Sequence, residues 1–232
     1  MRESIKGVAF DLDGTLYPNY RFNIKLVPFV LKEWRLLSAF GKTREIIRRE
    51  QEKSIPQGDF YYYQAQITAK LLAKSPEAEV SLLKEKIEKS IYRGWEPLFK
   101  NVRLFKGVTQ VLDALKKAGY KLGLLSDFPP ETKLEYLGLG LDIWDAVHCS
   151  ERCGALKPHT LSFLKLAQAM SLPPENILYV GNSHSYDVTG AARAGMKTAL
   201  IKNPLFPGSR TKTPTPDFSF HNYRQLHNFM IK

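Results

Sequence analysis

The segment that most constrains this chain is residues 8–16, VAFDLDGTL, close to its start. An apolar run ends there abruptly at two carboxylates, Asp11 and Asp13, which glycine and threonine follow. So short a run is typical of a buried strand in a parallel sheet, and working residues follow the carboxyl ends of such strands. Two acids at i and i+2 point to the same side and need a metal, a shared proton or cationic neighbours. The segment therefore predicts a site of chemistry at the end of the first strand.

Two other interpretations of the same residues have to be weighed. Asp-Gly between apolar residues is also a common hairpin turn signal. A calcium loop that began at Asp11 would need Gly at its sixth position and Glu at its twelfth, where this chain has Leu16 and Phe22. The calcium loop is excluded, and the motif alone leaves the hairpin turn open.

The composition is that of a globular protein. The chain has 232 residues, 44% hydrophobic and 25% charged, which suits one domain with a large insertion or two small domains. No apolar run approaches the roughly 20 residues of a membrane helix, and the opening MRESIKG has no apolar signal core. We therefore expect a soluble, cytoplasmic protein that has no membrane partner.

The two cysteines, Cys149 and Cys153, are too few for a disulfide framework. A zinc site would need further ligands at suitable spacing, and Cys-x3-Cys with His148 and His159 nearby matches no familiar zinc site. The expectation is two ordinary reduced thiols.

The net charge of +11 favours anionic partners, of which phosphorylated metabolites, nucleic acid and anionic membranes are the candidates. The basic residues are scattered and mixed with acids, as in residues 44–53, REIIRREQEK, which predicts a solvated helix face. Scattered charge does not indicate a nucleic-acid site. We predict a small phosphorylated metabolite as the partner and no nucleic acid, and the oligomeric state stays open.

Residues 18–100 carry helical periodicity and almost no strand signal. Apolar residues recur there at spacings of three and four, which predicts an amphipathic helix over Ile24, Val27, Val30, Leu31 and Trp34. A second, charged helix is predicted around 46–47, a third over 60–73, and a fourth from Ser75-Pro76 to about Gly94. We predict an all-helical cap domain at 18–100, inserted into a core domain made of 1–17 and 101–232.

Strands and helices alternate after residue 100. The predicted elements are a helix at 106–118, a strand at 120–125, a short helix after Pro129-Pro130, a strand at 143–149, a helix at 159–170, a strand at 176–180, a helix at 185–194, a strand at 197–201, a loop at 203–216, and a short strand and final helix. This alternation predicts an α/β fold, with a Rossmann-like parallel sheet covered on both faces by helices.

Polar residues follow three of these strands, and parallel strands bring such residues to one edge of the sheet. Besides the first pair of acids, Ser126-Asp127 ends one strand, and Asn182 with Asp187 follows another. Lys157 begins a helix after a further strand and can reach the same edge. Acids that suit Mg²⁺, together with a hydroxyl and a lysine that suit phosphoryl oxygens, indicate a metal-assisted phosphate site.

These four elements resemble the motifs of the haloacid dehalogenase superfamily. DxDGT[LV] matches residues 11–16, a strand ending in Ser or Thr matches Ser126, Lys-Pro matches Lys157-Pro158, and GDxxxxD matches 181–187 as GNSHSYD. The match covers nearly the whole core. The helical insertion directly after the first motif resembles the type 1 cap of the phosphoglycolate-phosphatase-like branch.

The resemblance implies a Mg²⁺-dependent phosphatase that hydrolyses a small phosphate monoester through an aspartyl-phosphate. It makes Asp11 the nucleophile and Asp13 the acid that protonates the leaving alcohol and then activates water. The implied phosphate ligands are Ser126, Asp127 and Lys157, and the implied metal ligands are Asp11, Asp13 through its backbone carbonyl, Asn182 and Asp187. Dehalogenases of the superfamily usually lack the second acid, so Asp13 argues against dehalogenation.

One position departs from the family pattern: Asn182 stands where Asp is usual, and an amide keeps the oxygen but not the charge. A non-catalytic or regulatory binding protein is therefore one alternative, and a sugar-phosphate phosphomutase is another. Single residues of the motifs also have plainer interpretations. Asp187, for example, stands at a predicted helix start, where an aspartate acts as a cap in many proteins. Trp95 and the run 61–63 of three tyrosines are expected to pack the cap rather than to contact substrate.

Overall fold

In the computed structural model, which describes residues 2–73, 77–202 and 213–232, the strands form one parallel sheet. It has six strands in the order β3-β2-β1-β4-β5-β6. The strands are β1 (Gly7–Phe10), β2 (Lys121–Ser126), β3 (Ala146–Cys149), β4 (Ile177–Gly181), β5 (Lys197–Ile201) and β6 (Phe218–Phe220). The strand order reverses direction between β1 and β4, and ligands of such sheets bind at that switch point, outside the carboxyl ends of the strands.

The central strands are buried on both faces, which is why they are apolar without alternation. Val8 and Phe10 of β1 face one apolar core, and Ala9 between them faces the other. Helices α5 (Val108–Lys117) and α9 (Tyr223–Ile231) cover the first face, and α7 (Thr160–Ala169) and α8 (Thr189–Arg193) cover the second. The predicted α/β fold is confirmed.

The region between β1 and α5 is helical in its described part. It holds α1 (Asn19–Glu50), α2 (Phe60–Leu71), α3 (Glu77–Ile87) and α4 (Arg93–Trp95), followed by a 3-10 turn at Glu96–Phe99. These helices share an apolar cluster of their own, formed by Leu36, Phe40, Ala65, Ala69, Val80, Leu83, Ile87 and Ile91. The division into a core at 1–17 and 101–232 and a cap at 18–100 stays a prediction, and we call the helices of 18–100 the cap helices.

The remaining helical segments are short. They are α6 (Glu131–Tyr136), two π-helical turns at Glu88–Tyr92 and His184–Val188, and 3-10 turns at Arg2–Ser4, Leu141–Ile143, Glu151–Cys153 and Pro174–Asn176. No helix in the described ranges is both long and apolar enough to cross a bilayer. Both cysteines are free thiols, as predicted, and burial raises the pKa of Cys149 to about 12.

Several sequence predictions need correction. One helix, α1, replaces the two that were predicted before residue 51, and it continues through a backbone kink at Glu33 because no residue at 38–45 stops it. The predicted helix at 185–194 begins instead as a π-helical turn that becomes α8 only at Thr189. The helix start at Ser75-Pro76 and most of the loop at 203–216 lie outside the described residues.

The run at 44–53 is also only partly the solvated face that its charges predict. Five of its residues are exposed, but the side chains of Arg44 and Gln51 are buried against the sheet-bearing part of the chain. A basic residue on a helix looks the same in sequence whether it faces water or a buried carboxylate, so the composition of the run does not separate the two cases.

Candidate active site

Asp11 follows β1 directly and is almost wholly buried. Its Oδ1 accepts a hydrogen bond from Nζ of Lys157 at 2.6 Å, and its Oδ2 accepts one from the hydroxyl of Thr15, also at 2.6 Å. The turn that follows depends on Gly14, whose φ of +87° favours glycine. A Cβ at Gly14 would lie 2.1 Å from the side-chain nitrogen of Asn182, so the loops after β1 and β4 pack closely here.

Lys157 is shared between two carboxylates. Besides Asp11, its Nζ contacts Oδ1 of Asp187 at 2.8 Å. Burial acts to lower the pKa of Lys157, but the two carboxylates outweigh it and raise that pKa well above its ordinary value. Burial likewise raises the pKa of Asp11 to about 7, against the attraction of Lys157 and with the help of the negative charge on Asp187. The lysine is thus held charged, and Asp11 is a carboxylate with an unusually high affinity for a proton.

Asp187 is held by the protein through both of its oxygens. Oδ1 contacts Lys157, and Oδ2 accepts hydrogen bonds from the backbone N–H groups of Asn182 at 3.1 Å and Ser183 at 2.9 Å. A Cβ at Gly181 would lie 2.3 Å from Cβ of Asp187, so only glycine admits this approach of the π-helical turn to the end of β4. This geometry favours a role for Asp187 in orienting Lys157 and the loop, while its role as a metal ligand stays a prediction.

Asp13 lies at the mouth of the site, where about a third of its side chain is exposed. It accepts a hydrogen bond from the hydroxyl of Tyr17 and contacts Nζ of Lys133 at 3.0 and 3.1 Å. Lys133 belongs to α6, and its Nζ also lies 5.1 Å from the ring centres of Phe99 and Phe128. Sequence reasoning missed Lys133, because a lysine on a short helix carries no signal of its own.

Ser126 ends β2 and is fully buried, next to the switch point of the sheet. Its Oγ accepts a hydrogen bond from the backbone N–H of Phe128 at 3.2 Å. A hydroxyl group that accepts a hydrogen bond still has a proton to donate, which is what a phosphoryl oxygen requires.

The carboxylate of Asp127 points toward α1. Its carboxylate contacts Arg48 at 2.9 Å and Arg44 at 3.3 Å, and it accepts the backbone N–H of Lys157 at 3.0 Å. Burial acts to raise its pKa, but Arg44, Lys157 and Arg48 outweigh burial and lower it. The geometry favours a role in joining the cap helices to the loop of Lys157, whereas the predicted role as a phosphate ligand remains untested.

We call this joint the clamp, and its members come from α1 and from the loops after β2 and β3. Arg44 also pairs with the buried Glu151, which accepts a further hydrogen bond from Tyr92 at 2.9 Å. Gln51 exchanges hydrogen bonds with the backbone N–H and C=O of Leu156, at 2.8 and 2.6 Å. The charged members of the clamp are Arg44, Arg48, Asp127 and Glu151.

The charges around Asp11, by contrast, do not balance. We call them the reaction cluster, and its members are Asp11, Asp13, Lys133, Lys157 and Asp187. When all three carboxylates are ionised they face two ammonium groups, which leaves one negative charge uncompensated at the place where an anion would react. That surplus fits a bound divalent cation, because a phosphate group would otherwise meet net repulsion.

Oxygen donors of the kind that Mg²⁺ prefers lie on the adjacent loops after β1 and β4. They are the carboxylate of Asp11, the backbone carbonyl of Asp13 and the side-chain amide of Asn182. Within the described ranges, no three His, Cys, Asp or Glu side chains are grouped as metal ligands. The fourth member of the predicted metal set, Asp187, contacts Lys157 through Oδ1 and the loop after β4 through Oδ2.

A cavity of about 490 Å³ opens beside Lys133, between the cap helices and the sheet. Its wall combines aromatic and charged side chains. The aromatic ones are Tyr61, Tyr92, Trp95, Phe99 and Phe128, and the charged ones are Glu88, Arg93, Glu96, Lys133 and Arg152. Trp95 also packs edge-on against Phe22 and Phe29, so it serves the packing that its sequence context predicts and faces the cavity as well.

The geometry and the comparisons with known proteins agree on a family. The family model of the haloacid dehalogenase-like hydrolases matches residues 5–195, and the chain belongs to that family. A glyceraldehyde 3-phosphate phosphatase of Methanopyrus kandleri is 26% identical over 96% of this chain and 95% of its own length. Pyrophosphatase PpaX of Bacillus anthracis is 31% identical, over 54% of this chain and 58% of its own length.

Solved structures of the family share the fold. A HAD phosphatase from Thermococcus onnurineus has a TM-score of 0.62 and 24% identity, covering 97% of this chain and 98% of its own. A 2-haloacid dehalogenase from Pseudomonas syringae has a TM-score of 0.65 and 23% identity, covering 97% of each chain. Similarity at this level establishes the fold alone. The predicted family and the predicted hydrolase class are both confirmed.

Proposed function

We propose that this hydrolase is a phosphatase that cleaves a small phosphate monoester through an aspartyl-phosphate on Asp11. The observation that carries the proposal is the pair formed by Asp11 and Asp13. One carboxylate is buried against Lys157, and the other stands two residues later at the mouth of the site, held by Tyr17 and Lys133. A nucleophile and a separate acid–base group are what a two-step phosphoryl transfer requires.

In the first step a carboxylate oxygen of Asp11 attacks phosphorus, and the bond from phosphorus to the ester oxygen breaks. Asp13 in its protonated form gives its proton to the departing alkoxide, which leaves as the alcohol. In the second step Asp13, now ionised, takes a proton from water as the water oxygen attacks the phosphoryl group. Inorganic phosphate leaves, and both aspartates return to their starting states.

Lys157 and Ser126 would stabilise the charge that develops on the transferring group. The ammonium of Lys157 is fixed by Asp11 and Asp187, so it requires little reorganisation during the reaction. The hydroxyl of Ser126 would donate to a phosphoryl oxygen. Asp187 would act through Lys157, and Asp127 through the clamp, rather than by touching phosphate.

We assign Mg²⁺ as the cofactor, held by the Asp11 carboxylate, the Asp13 carbonyl and Asn182. When bound, the ion would neutralise the surplus charge of the reaction cluster and that of the phosphoryl oxygens. Asn182 supplies a dipole in place of a charge, which predicts weaker metal affinity than an aspartate would give.

The cavity beside Lys133 is the space for the leaving group. Its mixed wall of aromatic and charged side chains and its volume of about 490 Å³ suit a small, polar organic alcohol. The named activities of the relatives, on glyceraldehyde 3-phosphate and on pyrophosphate, support a small phosphorylated substrate. The cytoplasmic location stays a prediction.

The test is release of inorganic phosphate from p-nitrophenyl phosphate and from a panel of phosphorylated metabolites, with Mg²⁺ and with a chelator. We expect release that depends on Mg²⁺, and a phosphoryl adduct on the peptide that contains Asp11 after rapid acid quench. Formation of an isomerised sugar phosphate without free phosphate would favour the phosphomutase. Tight binding of phosphate esters with no turnover on any of them would favour the binding protein.

A further inference from the structure

The first half of α1 presents large apolar side chains to solvent. Ile24, Val27, Leu31 and Trp34 are exposed by 67%, 52%, 76% and 61%, and Val30 beside them by 42%. We call these five side chains the α1 seam. The sequence pattern predicts an amphipathic helix here, and it is the opposite side of α1, with Phe22 and Leu36, that packs inward.

The spacing of the α1 seam is that of a surface that packs against another helix. Ile24, Val27, Leu31 and Trp34 are separated by three, four and three residues, and Tyr20 lies four residues before the first of them. Alternation of three and four, confined to so narrow a stripe, is the pattern of a coiled-coil contact, where each side chain enters a gap on a facing helix. The first three precede the kink at Glu33 and Trp34 follows it.

We propose that the α1 seam is a homodimer interface, in which α1 of one chain packs antiparallel against α1 of a second copy. The exposed seam amounts to roughly 600 Å² per copy, so a pair could bury at most roughly 1,200 Å², the lower end of the range for specific interfaces. An apolar patch of that size is also at the upper limit of what monomers expose.

The seam is complementary to itself when the two helices run antiparallel about Val27. Val27 then meets its own copy, and Ile24 of each chain lies level with Val30 of the other and next to Leu31, so apolar side chains face one another on both sides of the centre. Such reciprocal pairing is what a two-fold interface requires.

The charges beside the seam also select the antiparallel arrangement. Lys32 and Arg35 flank it, and both are exposed. Parallel packing would place each of them next to its own copy, whereas antiparallel packing moves them toward opposite ends of the interface. The net charge of +11 on each chain still opposes association, so added salt should tighten the dimer.

The test measures the mass in solution by light scattering and sedimentation, for the full chain and for Leu31→Glu. We expect a dimer whose dissociation constant rises about a hundredfold or more in Leu31→Glu, because a charge would be buried between the two helices, beside the central Val27 pair. Leu164→Glu is the matched control, since Leu164 is 43% exposed on α7, a helix that covers the sheet, and it should leave the dimer intact. Turnover of p-nitrophenyl phosphate per chain should not change in Leu31→Glu. A monomeric full chain at tens of micromolar would overturn the proposal.

Cysteine cross-linking tests the direction of packing. Chains carrying Ile24→Cys and chains carrying Leu31→Cys, distinguished by size, should cross-link to each other when mixed and far less to themselves. Efficient self-linking of each variant would indicate parallel helices and overturn the antiparallel pairing.

The remaining occupant to test is a lipid surface. A monomer that sediments with phosphatidylserine vesicles, releases as salt rises and loses binding in Leu31→Glu would overturn the second copy as the occupant.

Discussion

The reaction cluster and the clamp are two groups of charged side chains that adjoin at Lys157. They differ in whether their positive and negative charges balance. In the clamp, two guanidinium groups face two carboxylates, so the charges cancel and the cap helices are joined to the loops of the sheet. In the reaction cluster, carboxylates outnumber ammonium groups, and burial together with the charge on Asp187 raises the pKa of Asp11 against the attraction of Lys157. A balanced cluster joins two parts of the fold, whereas an unbalanced one can bind a charged partner.

The largest effect on activity is expected from substitution of Asp11, the proposed nucleophile in the reaction cluster. Asp11→Asn removes the attacking charge at constant shape, so kcat should fall by about four orders of magnitude or more. Because the variant also removes the surplus negative charge, its melting temperature should equal or exceed that of the parent. Circular dichroism melts and phosphate release measure the two properties.

Asp113→Asn is the control, since that acid pairs with Lys117 on an exposed face of α5 and should affect neither property. Retention of more than about a tenth of the activity by Asp11→Asn would contradict the covalent mechanism.

The clamp should show the reverse pattern. Arg44→Met leaves Glu151 and Asp127 buried with less compensation, so the free energy of unfolding should fall by about 3 kcal/mol. Initial rates per folded molecule should stay near those of the parent when measured well below the melting temperature. Denaturant titration and phosphate release make the comparison.

Arg193→Met is the matched control, because Arg193 pairs with Glu52 on the surface and should contribute less than about 1 kcal/mol. If Arg44→Met lost turnover while its stability was unchanged, Arg44 would belong to the reacting groups and the contrast between the clusters would fail.

The reaction cluster was more predictable from sequence than the clamp, for a physical reason. Parallel strands bring their carboxyl ends together whatever their order, so a strand ending in Asp11 or Ser126 already locates a residue at the site. The motifs are also local, since each depends on one strand and the turn after it. For this reason the predictions of the fold and the family were correct, and the predicted strand bounds agreed with the structure to within a few residues.

The clamp has no such local signature. Arg44 and Glu151 are more than a hundred residues apart, and either one alone resembles a surface charge. Lys133 was missed for the same reason, because its meeting with Asp13 depends on how α6 packs and not on a pattern. The apolar pattern of the α1 seam was recognised, but periodicity does not indicate whether its partner lies within the chain.

Asp127 contacts the clamp residues, but in sequence it directly follows Ser126 of the second motif. A variant at Asp127 therefore tests whether this carboxylate serves the clamp or binds phosphate. Asp127→Asn should lower the free energy of unfolding by about 2 kcal/mol at pH 7, because hydrogen bonds between charged groups are lost. The KM for substrate should change little if Asp127 does not touch phosphate. A large rise in KM at unchanged stability would restore the predicted phosphate role.

The pH dependence of stability distinguishes the two carboxylates further. The pKa of Asp127 is lowered in the folded chain, so the unfolded chain takes up a proton first as the pH falls. Its contribution is fully present above about pH 4 and is lost below it, and Asp127→Asn should converge with the parent only there. The pKa of Asp11 is raised from 3.8 to about 7, so the folded chain takes up that proton first. Asp11→Asn should therefore lose its advantage over the parent between pH 7 and pH 4.

Lys133 tests whether a group at the edge of the reaction cluster acts in turnover. Lys133→Met leaves Asp13 without its ammonium partner, and kcat/KM should fall roughly thirtyfold, about 2 kcal/mol. Stability should change by less than about 1 kcal/mol, because Asp13 is partly exposed and can be solvated. Lys133→Arg keeps the charge and should recover most of the activity. Equal losses in both variants would indicate that the volume beside Phe99 and Phe128 matters, and not the charge.

The smallest effect concerns the neutral member of the proposed metal set. Asn182→Asp adds a second full charge beside Asp11, and attraction to a divalent ion should exceed repulsion between single charges at similar distances. We expect the Mg²⁺ concentration at half-maximal activity to fall roughly tenfold, about 1.4 kcal/mol. Without metal the same acid adds to a cluster that already carries surplus negative charge, so the melting temperature in chelator should fall.

Asp187→Asn should shift the Mg²⁺ midpoint upward by a smaller amount, because Lys157 loses one of its two partners and competes more strongly for Asp11. Titration of activity against Mg²⁺ for the three proteins decides the matter. If the Mg²⁺ midpoints were identical and the melting temperatures in chelator were unchanged, Asn182 would not be a metal ligand. The surplus charge of the reaction cluster would then have to be compensated without it.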